Sequence, residues 1–188
     1  ALGFQNVLEP LEKLGHEVIW AADFSGFVAD KSIIPCKIEQ ININTNPFNT
    51  SNIGAYKKIL NIIEKYKIDA VMSSTPIGGA LARLAAKKKD ISPVLYEAHG
   101  FLFFKGAPFL NRTVYKLEEE VLAHYTDVLI TITEEDYAAA QEFKLRSGQK
   151  PYLVHGAGVR VGVKVEVDRA SKRTSLGIPE NAFVIVSA

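Results

Sequence analysis

Residues 69–89 read DAVMSSTPIGGALARLAAKKK, and this stretch decides the fold. Asp69 to Met72 is a short apolar run of the kind that forms a buried strand. Thr75 stands where a helix N-cap belongs, with Pro76 at the first helical position, so Ile77–Lys89 is predicted as a helix. Lys87, Lys88 and Lys89 then fall in its last turn, where positive charge complements the helix dipole as a solvated end.

The same alternation runs forward from there. Pro93–Tyr96 reads as a strand, Leu110–His124 as a helix after an aromatic loop, and Asp127–Ile132 as the most strand-like run in the chain. Thr133 caps a helix over Glu134–Lys144 whose first turn holds Glu134, Glu135 and Asp136, and Tyr152–Val154 is a further strand. Running backward, Thr50 or Ser51 caps a long helix with an apolar stripe of Ile53, Tyr56, Ile59, Leu60 and Ile63. Ile38–Ile43 and His16–Ala22 are strands, and Phe4, Val7, Leu8, Leu11 and Leu14 mark an opening helix stopped by Gly15. Strands alternating with helices imply crossover connections, hence an α/β fold with a doubly wound parallel sheet and helices on both faces. Such a domain normally opens with a strand, so a first strand is expected ahead of Ala1. A domain over residues 1–170 is expected, then a linker and the first strand of another domain over 171–188, built on the apolar run Ala182–Ser187.

Composition narrows the function. The 188 residues carry 22 Lys and Arg against 21 Asp and Glu, and a net charge of +1 lacks the basic field of a general nucleic-acid binder. Cys36 is the only cysteine, which excludes an internal disulfide and suits the reducing cytoplasm. No apolar stretch reaches the ~20 residues that span a bilayer. His16, His99, His124 and His155 lack metal-ligand spacing, so no metal is expected. Gly156, Gly158 and Gly162 are spaced one residue too long for a dinucleotide fingerprint, with no helix following, which argues against NAD.

In open parallel sheets, ligands bind outside the carboxyl ends of the strands. Those ends read Ser73-Ser74-Thr75, Ala98-His99-Gly100, Thr131-Ile132-Thr133 and His155-Gly156-Ala157-Gly158. Four successive strands thus bring small, polar or ionisable residues to one edge, where a ligand site is expected.

These residues carry a resemblance. The run from Ser74-Thr75-Pro76 through Gly78-Gly79 to Ala85, then Tyr96-Glu97-Ala98-His99-Gly100-Phe101, Phe104-Lys105-Gly106-Ala107-Pro108 and Asp127–Tyr137, resembles glycosyltransferase family 4. The likeness is to capsule and exopolysaccharide enzymes, over roughly residues 5–188. The chain departs from that family's pattern on both sides of the glycine turn: His155 stands where a Pro usually precedes it, and Arg160 and Val161 stand where an acidic residue usually follows it.

The resemblance implies one half of a GT-B fold, a Rossmann-like, acceptor-side domain. It implies a retaining transfer from a nucleotide sugar to a lipid-linked saccharide in bacterial surface polysaccharide synthesis, with no cofactor. The active-site histidine would be His99, hydrogen-bonding the transferred sugar and its leaving group rather than attacking it. Ser74, Thr75, Gly78, Gly79, Gly100, Lys105 and Thr133 are the expected substrate-binding residues. Gly78 and Gly79 have a second explanation in tight helix–sheet packing, since paired glycines early in a helix need a reason. Phe101, Phe103 and Phe104 would meet the acceptor lipid or the inner-membrane face if exposed, and would be core if not. The donor-binding domain is the remaining partner, so this chain alone is expected to be inactive. Two other readings stay open, a non-catalytic binding or assembly module and a nucleotide-sugar 2-epimerase half. The module would expose an apolar segment near Ala182–Ala188; the epimerase would need a carboxylate in the cleft, for which only Glu97 is near.

Overall fold

The computed structural model describes residues 2–25, 36–156 and 167–185, without the side chains of residues 2–6, 110 and 111. The glycine turn beyond Gly156, the departures at Arg160 and Val161, and Gly162 lie outside these residues. In chain order the elements are α1 (Leu2–Lys13), β1 (Ile19–Ala22), β2 (Lys37–Gln40), α2 (Ser51–Tyr66), β3 (Val71–Ser73), α3 (Pro76–Lys88), β4 (Val94–Ala98), α4 (Phe109–Ala123), β5 (Val128–Thr131), α5 (Glu134–Ala140), β6 (Tyr152–Leu153) and α6 (Arg169–Ser175). All strand pairings are parallel: β1 with β2, and separately β3-β4-β5-β6 in chain order. Each step of the four-stranded sheet is bridged by one helix, so the α/β fold read from the sequence is the one observed.

The apolar stripes settle where each helix lies. Val94, Tyr96 and Ala98 alternate along β4 on one fully buried face, while Leu95 and Glu97 on the other are half-buried. Tyr96, Ala98 and Leu129 pack with Ala123 of α4, Ala140 of α5, and Phe101, Phe103, Phe143 and Leu145. Ile63 of α2 joins Ala85 and Ala86 of α3 over Val94, and the opposite flank of α2, through Ala55 and Ile62, packs on Ile41 beyond β2. Because α2 serves both clusters, it ties the two-stranded sheet to the four-stranded one.

Several boundaries move. Strand β4 runs to Ala98, two residues past the expected Tyr96, and this carries His99 to the sheet edge. Helix α5 stops at Ala140 rather than Lys144, with the chain turning so that Phe143 and Leu145 enter the core. Thr50 and Thr75 both occupy N-cap positions without making a side-chain cap bond. At α2 the Asn49 side chain does this work instead, accepting from Ser51 N–H at 2.9 Å.

Two compact units divide at 158/159 rather than at the expected 170, a point that falls within α6. The sequence pattern missed that helix. Its signal is Asp168, whose carboxylate accepts from Ser171 N–H at 2.8 Å as an N-cap. Residues 182–185 form no strand; Phe183 and Ile185 are exposed, and 186–188 lie outside the described residues.

Asp127 fastens the amino-terminal edge of the sheet. Its carboxylate accepts from Val94 N–H at 2.7 Å, Ser92 Oγ at 3.2 Å and the Arg146 guanidinium, whose Nε lies at 2.7 Å. The Arg146 bonds, ahead of the others, hold this carboxyl below its usual range. A lowered folded pKa stabilises above the unfolded value of about 3.9 and is lost as pH falls through the folded value. Asp127→Asn should therefore cost on the order of 1 kcal/mol at neutral pH, since both partners reach solvent. The gap to the parent should close below about pH 4, as measured by urea unfolding across pH.

Candidate functional site

Chain order and parallel pairing put the ends of β3, β4, β5 and β6 on one edge. Tyr96 pairs with Leu129 and Ala98 with Thr131, so the residues after them leave the sheet as neighbours. Gly100, at φ 142°, takes a backbone conformation that side-chain-bearing residues rarely adopt, which lets the chain turn sharply after His99. The turn is then fastened to the next strand end. Phe101 N–H donates to Asp136 Oδ1 at 3.0 Å, and Lys105 N–H donates to Glu135 Oε1 at 2.9 Å.

His99 projects from this edge half-exposed, with Nε2 at 3.5 Å from Glu97 Oε1. The two stand two residues apart along the extended chain and so share a side, an arrangement that orients the imidazole beside a carboxylate. Ser74 is half-buried and Thr75 exposed at the β3 end, Gly100 is half-buried, and Lys105 is exposed on the loop. Thr133 is exposed, but its hydroxyl is engaged: it donates to Asp136 Oδ2 at 2.7 Å and accepts from Asp136 N–H at 3.1 Å, capping α5.

Two expectations change here, at Gly79 and at the pair Phe101 and Phe103. A Cβ on Gly79 would lie 2.6 Å from Tyr96 Cε2, so this glycine exists for helix–sheet packing and is buried beneath the ring. A Cβ on Gly78 would lie 2.5 Å from Thr75 Oγ1, an exposed side-chain atom that can turn away, so packing does not account for that glycine as it does for Gly79. Phe101 and Phe103 are not exposed for lipid: they stack with centroids 4.8 Å apart and meet Phe143 edge-on in the core. The rings left exposed on that segment are Phe104, at 54 %, and Phe109, at 81 %.

The structure also assembles a group that the sequence pattern does not single out. Arg83 is 1 % exposed, with Nη1 and Nη2 donating to Glu119 at 2.8 and 3.2 Å and Nε donating to the Gly79 carbonyl at 3.1 Å. Its guanidinium lies 3.8 Å from the centroid of the Tyr96 ring. The Tyr96 hydroxyl reaches Glu119 Oε1 at 3.4 Å, and burial, then the Glu119 charge, pushes the phenol's pKa well up. Beside it, burial and the like charge of Glu119 also raise the Glu118 carboxyl. A crevice of about 10 Å³ opens between Glu118, Glu119, Pro76, Ile77 and Gly100, room for about one water. The Ser73 hydroxyl nearby in sequence, at the β3 end, is buried with no hydrogen-bond partner. A charge at position 83 on an otherwise apolar helix face was the available signal, but its partner 36 residues away is set by tertiary packing.

Among the described residues, no group of three metal-ligating side chains forms, and no helix is long and apolar enough to cross a membrane. Chemically, the edge offers hydrogen-bond donors and the exposed imidazoles of His99, after β4, and His155, after β6.

The fold is shared with solved structures at low sequence identity. These include a glycosyltransferase from Rickettsia africae ESF-5 (TM-score 0.60, 19 % identity, 95 % of this chain and 46 % of that one). UDP-N-acetylglucosamine 2-epimerase from Rickettsia bellii gives TM-score 0.58 and 18 % identity over 81 % of this chain and 40 % of its own. MurG of Acinetobacter baumannii gives 0.54 and 18 % over 87 % and 43 %. In sequence, the chain is 37 % identical over 183 residues to "Putative glycosyltransferase EpsD" of Bacillus subtilis (strain 168), covering 93 % of this chain and 46 % of that protein. The chain thus spans less than half the length of these relatives. Residues 4–156 match Glycosyltransferase Family 4, and the chain belongs to that family.

Proposed function

We propose that this chain is the acceptor-side domain of a retaining glycosyltransferase. The full protein moves a sugar from a nucleotide sugar to a lipid-linked saccharide in surface polysaccharide synthesis, at the cytoplasmic face of the membrane. The observation that carries the reading is His99, held half-exposed at the edge where β3 to β6 end, with Glu97 beside it. An edge open to solvent suits a site completed by a second domain, whose closure would exclude water during transfer. His99 would donate a hydrogen bond to the transferred sugar and its leaving phosphate, a stabilising role that needs no protein nucleophile. Ser74, Thr75, Gly100 and Lys105 line the same edge as acceptor contacts, and Phe104 is the exposed ring closest in sequence to meet the acceptor lipid. The nucleotide sugar is substrate, and no cofactor or metal is part of the reading.

Exposed Phe183 and Ile185 favour a second reading, a binding module that docks on a separate protein. One experiment separates the two. The full-length protein is given a panel of nucleotide sugars and a lipid-diphosphate sugar acceptor, beside the isolated 188-residue chain. Transfer with retained anomeric configuration by the former alone is expected. No transfer with any donor favours the module, epimerised nucleotide sugar favours the 2-epimerase reading with Glu97 as its acid–base, and turnover by the isolated chain contradicts the two-domain account.

A further inference from the structure

His99 leaves the sheet without a fixed backbone of its own. Ala98, the residue before it, is the last of β4 to pair with β5, opposite Thr131. Gly100, the residue after it, is the most permissive residue type and sits at φ 142°. The place of the imidazole is therefore set by whatever holds the far side of the turn. Phe101 supplies that second anchor: its N–H donates to Asp136 Oδ1 at 3.0 Å, and its ring is buried against Phe103 and Phe143. His99 and Gly100 are strung between the two anchors, one on Thr131 of β5 and the other on Asp136 of α5.

Asp136 is unusual for a cap residue. It is 7 % exposed, and its partners are a backbone amide and a hydroxyl rather than a cation. In a capping box the third helical residue sends its side chain back to the amide of its own N-cap. Thr133 and Asp136 have that spacing, and Thr133 Oγ1 accepts from Asp136 N–H at 3.1 Å. The carboxylate is used differently: Oδ2 accepts from the Thr133 hydroxyl at 2.7 Å, which leaves Oδ1 for Phe101, 35 residues away in sequence. Capping α5 does not require that second bond. Glu135 repeats the pattern, its Oε1 accepting from Lys105 N–H at 2.9 Å, and so holds the other end of the same loop.

We propose that the first turn of α5 is a clasp that positions the transfer site, Asp136 fixing His99 through the Gly100–Phe101 turn and Glu135 fixing Lys105. Both are positioning residues. Thr133, whose hydroxyl is committed to Asp136, serves the clasp rather than the substrate. These roles rest on the proposed function, with His99 as donor to the transferred sugar and Lys105 as an acceptor contact.

The test is steady-state transfer by the full-length protein from nucleotide sugar to a lipid-diphosphate sugar acceptor. Asp136→Ala, Asp136→Asn and Glu135→Ala are compared with His99→Ala and Asp127→Asn. Displacement of a catalytic group by about 1 Å costs up to about 100-fold, so Asp136→Ala should lower kcat by about 10- to 100-fold and change KM by less than about threefold. Asp136→Asn keeps an oxygen for Phe101 N–H and should stay within about fivefold of the parent. Glu135→Ala, at an exposed position, should raise the acceptor KM by about 2- to 10-fold and leave kcat in place. Hydrogen exchange at the Phe101 amide should quicken in Asp136→Ala and not in Asp136→Asn. Asp127→Asn, which loosens the opposite edge of the sheet, should leave kcat unchanged and so separates placement from loss of stability.

Parental kcat in a folded Asp136→Ala enzyme would overturn the clasp, as would an asparagine variant as slow as the alanine one or an equal fall in Asp127→Asn. If Asp136→Ala does not fold, Glu135→Ala decides: an unchanged acceptor KM overturns the clasp. Loss of transfer in His99→Ala with no effect at Asp136 or Glu135 would overturn the clasp alone. Parental transfer by His99→Ala would overturn it together with the proposed function.

Discussion

Arg83→Met should destabilise the domain by about 3–5 kcal/mol, the cost of leaving one member of a buried ion pair without its partner. Glu119 is buried, with Arg83 and the Tyr96 hydroxyl as its side-chain donors. Removing the guanidinium leaves a desolvated carboxylate that must either stay charged or take up a proton. It also frees the Gly79 carbonyl and takes a cation from the face of Tyr96. At about 2–4 °C per kcal/mol for a domain of this size, the melting temperature should fall on the order of 10 °C. The double substitution Arg83→Met with Glu119→Leu removes both charges together. It should recover most of the loss, because a buried pair of this kind roughly balances its Coulomb attraction against desolvation. Urea unfolding of the two single variants and the double variant gives the coupling directly. A double variant as unstable as the sum of the singles would mean that the pair is independent rather than coupled.

Gly79→Ala should cost about 1–3 kcal/mol, against the ordinary preference for alanine in helices. The added Cβ would meet Tyr96 Cε2 at 2.6 Å and Cδ2 at 3.1 Å. The ring cannot swing aside, because Arg83 lies on it and the residue is 1 % exposed. The helical gain of up to about 1 kcal/mol does not offset that overlap. Gly78→Ala is the internal comparison. Its nearest atom is the hydroxyl of exposed Thr75, which makes no cap bond and is free to rotate. That substitution should fall within about 1 kcal/mol of the parent, because the clash is relieved cheaply and the propensity gain remains. Equal losses at both positions, measured by thermal unfolding, would contradict the packing role given to Gly79.

These two cases show what the sequence could and could not convey. Alternation of apolar runs with capped helices made the parallel sheet legible, because period and capping are local properties. The strand-end edge was legible for the same reason: once the strands are assigned, the positions that follow them are known. Arg83–Glu119 was not, because a pairing across 36 residues depends on which helices become neighbours. Phe101 and Phe103 carried no local signal separating an exposed aromatic loop from one folded under α5; the burial follows from Phe143, which reaches them only because α5 ends early. The helix α6 was hidden in a charge-rich run with no apolar stripe, and all of its side chains remain at least partly accessible.

The most direct measurement of the central claim is steady-state sugar transfer by the full-length protein carrying His99→Ala, beside the unaltered enzyme. His99 is exposed, so the variant should unfold at about the same temperature as the parent. Loss of one preorganised donor to a developing charge lowers kcat by about 10²–10³-fold, and a fall of that size with little change in KM is the predicted result. Unchanged kcat in a folded His99→Ala enzyme would contradict the account and move the transfer site away from the end of β4.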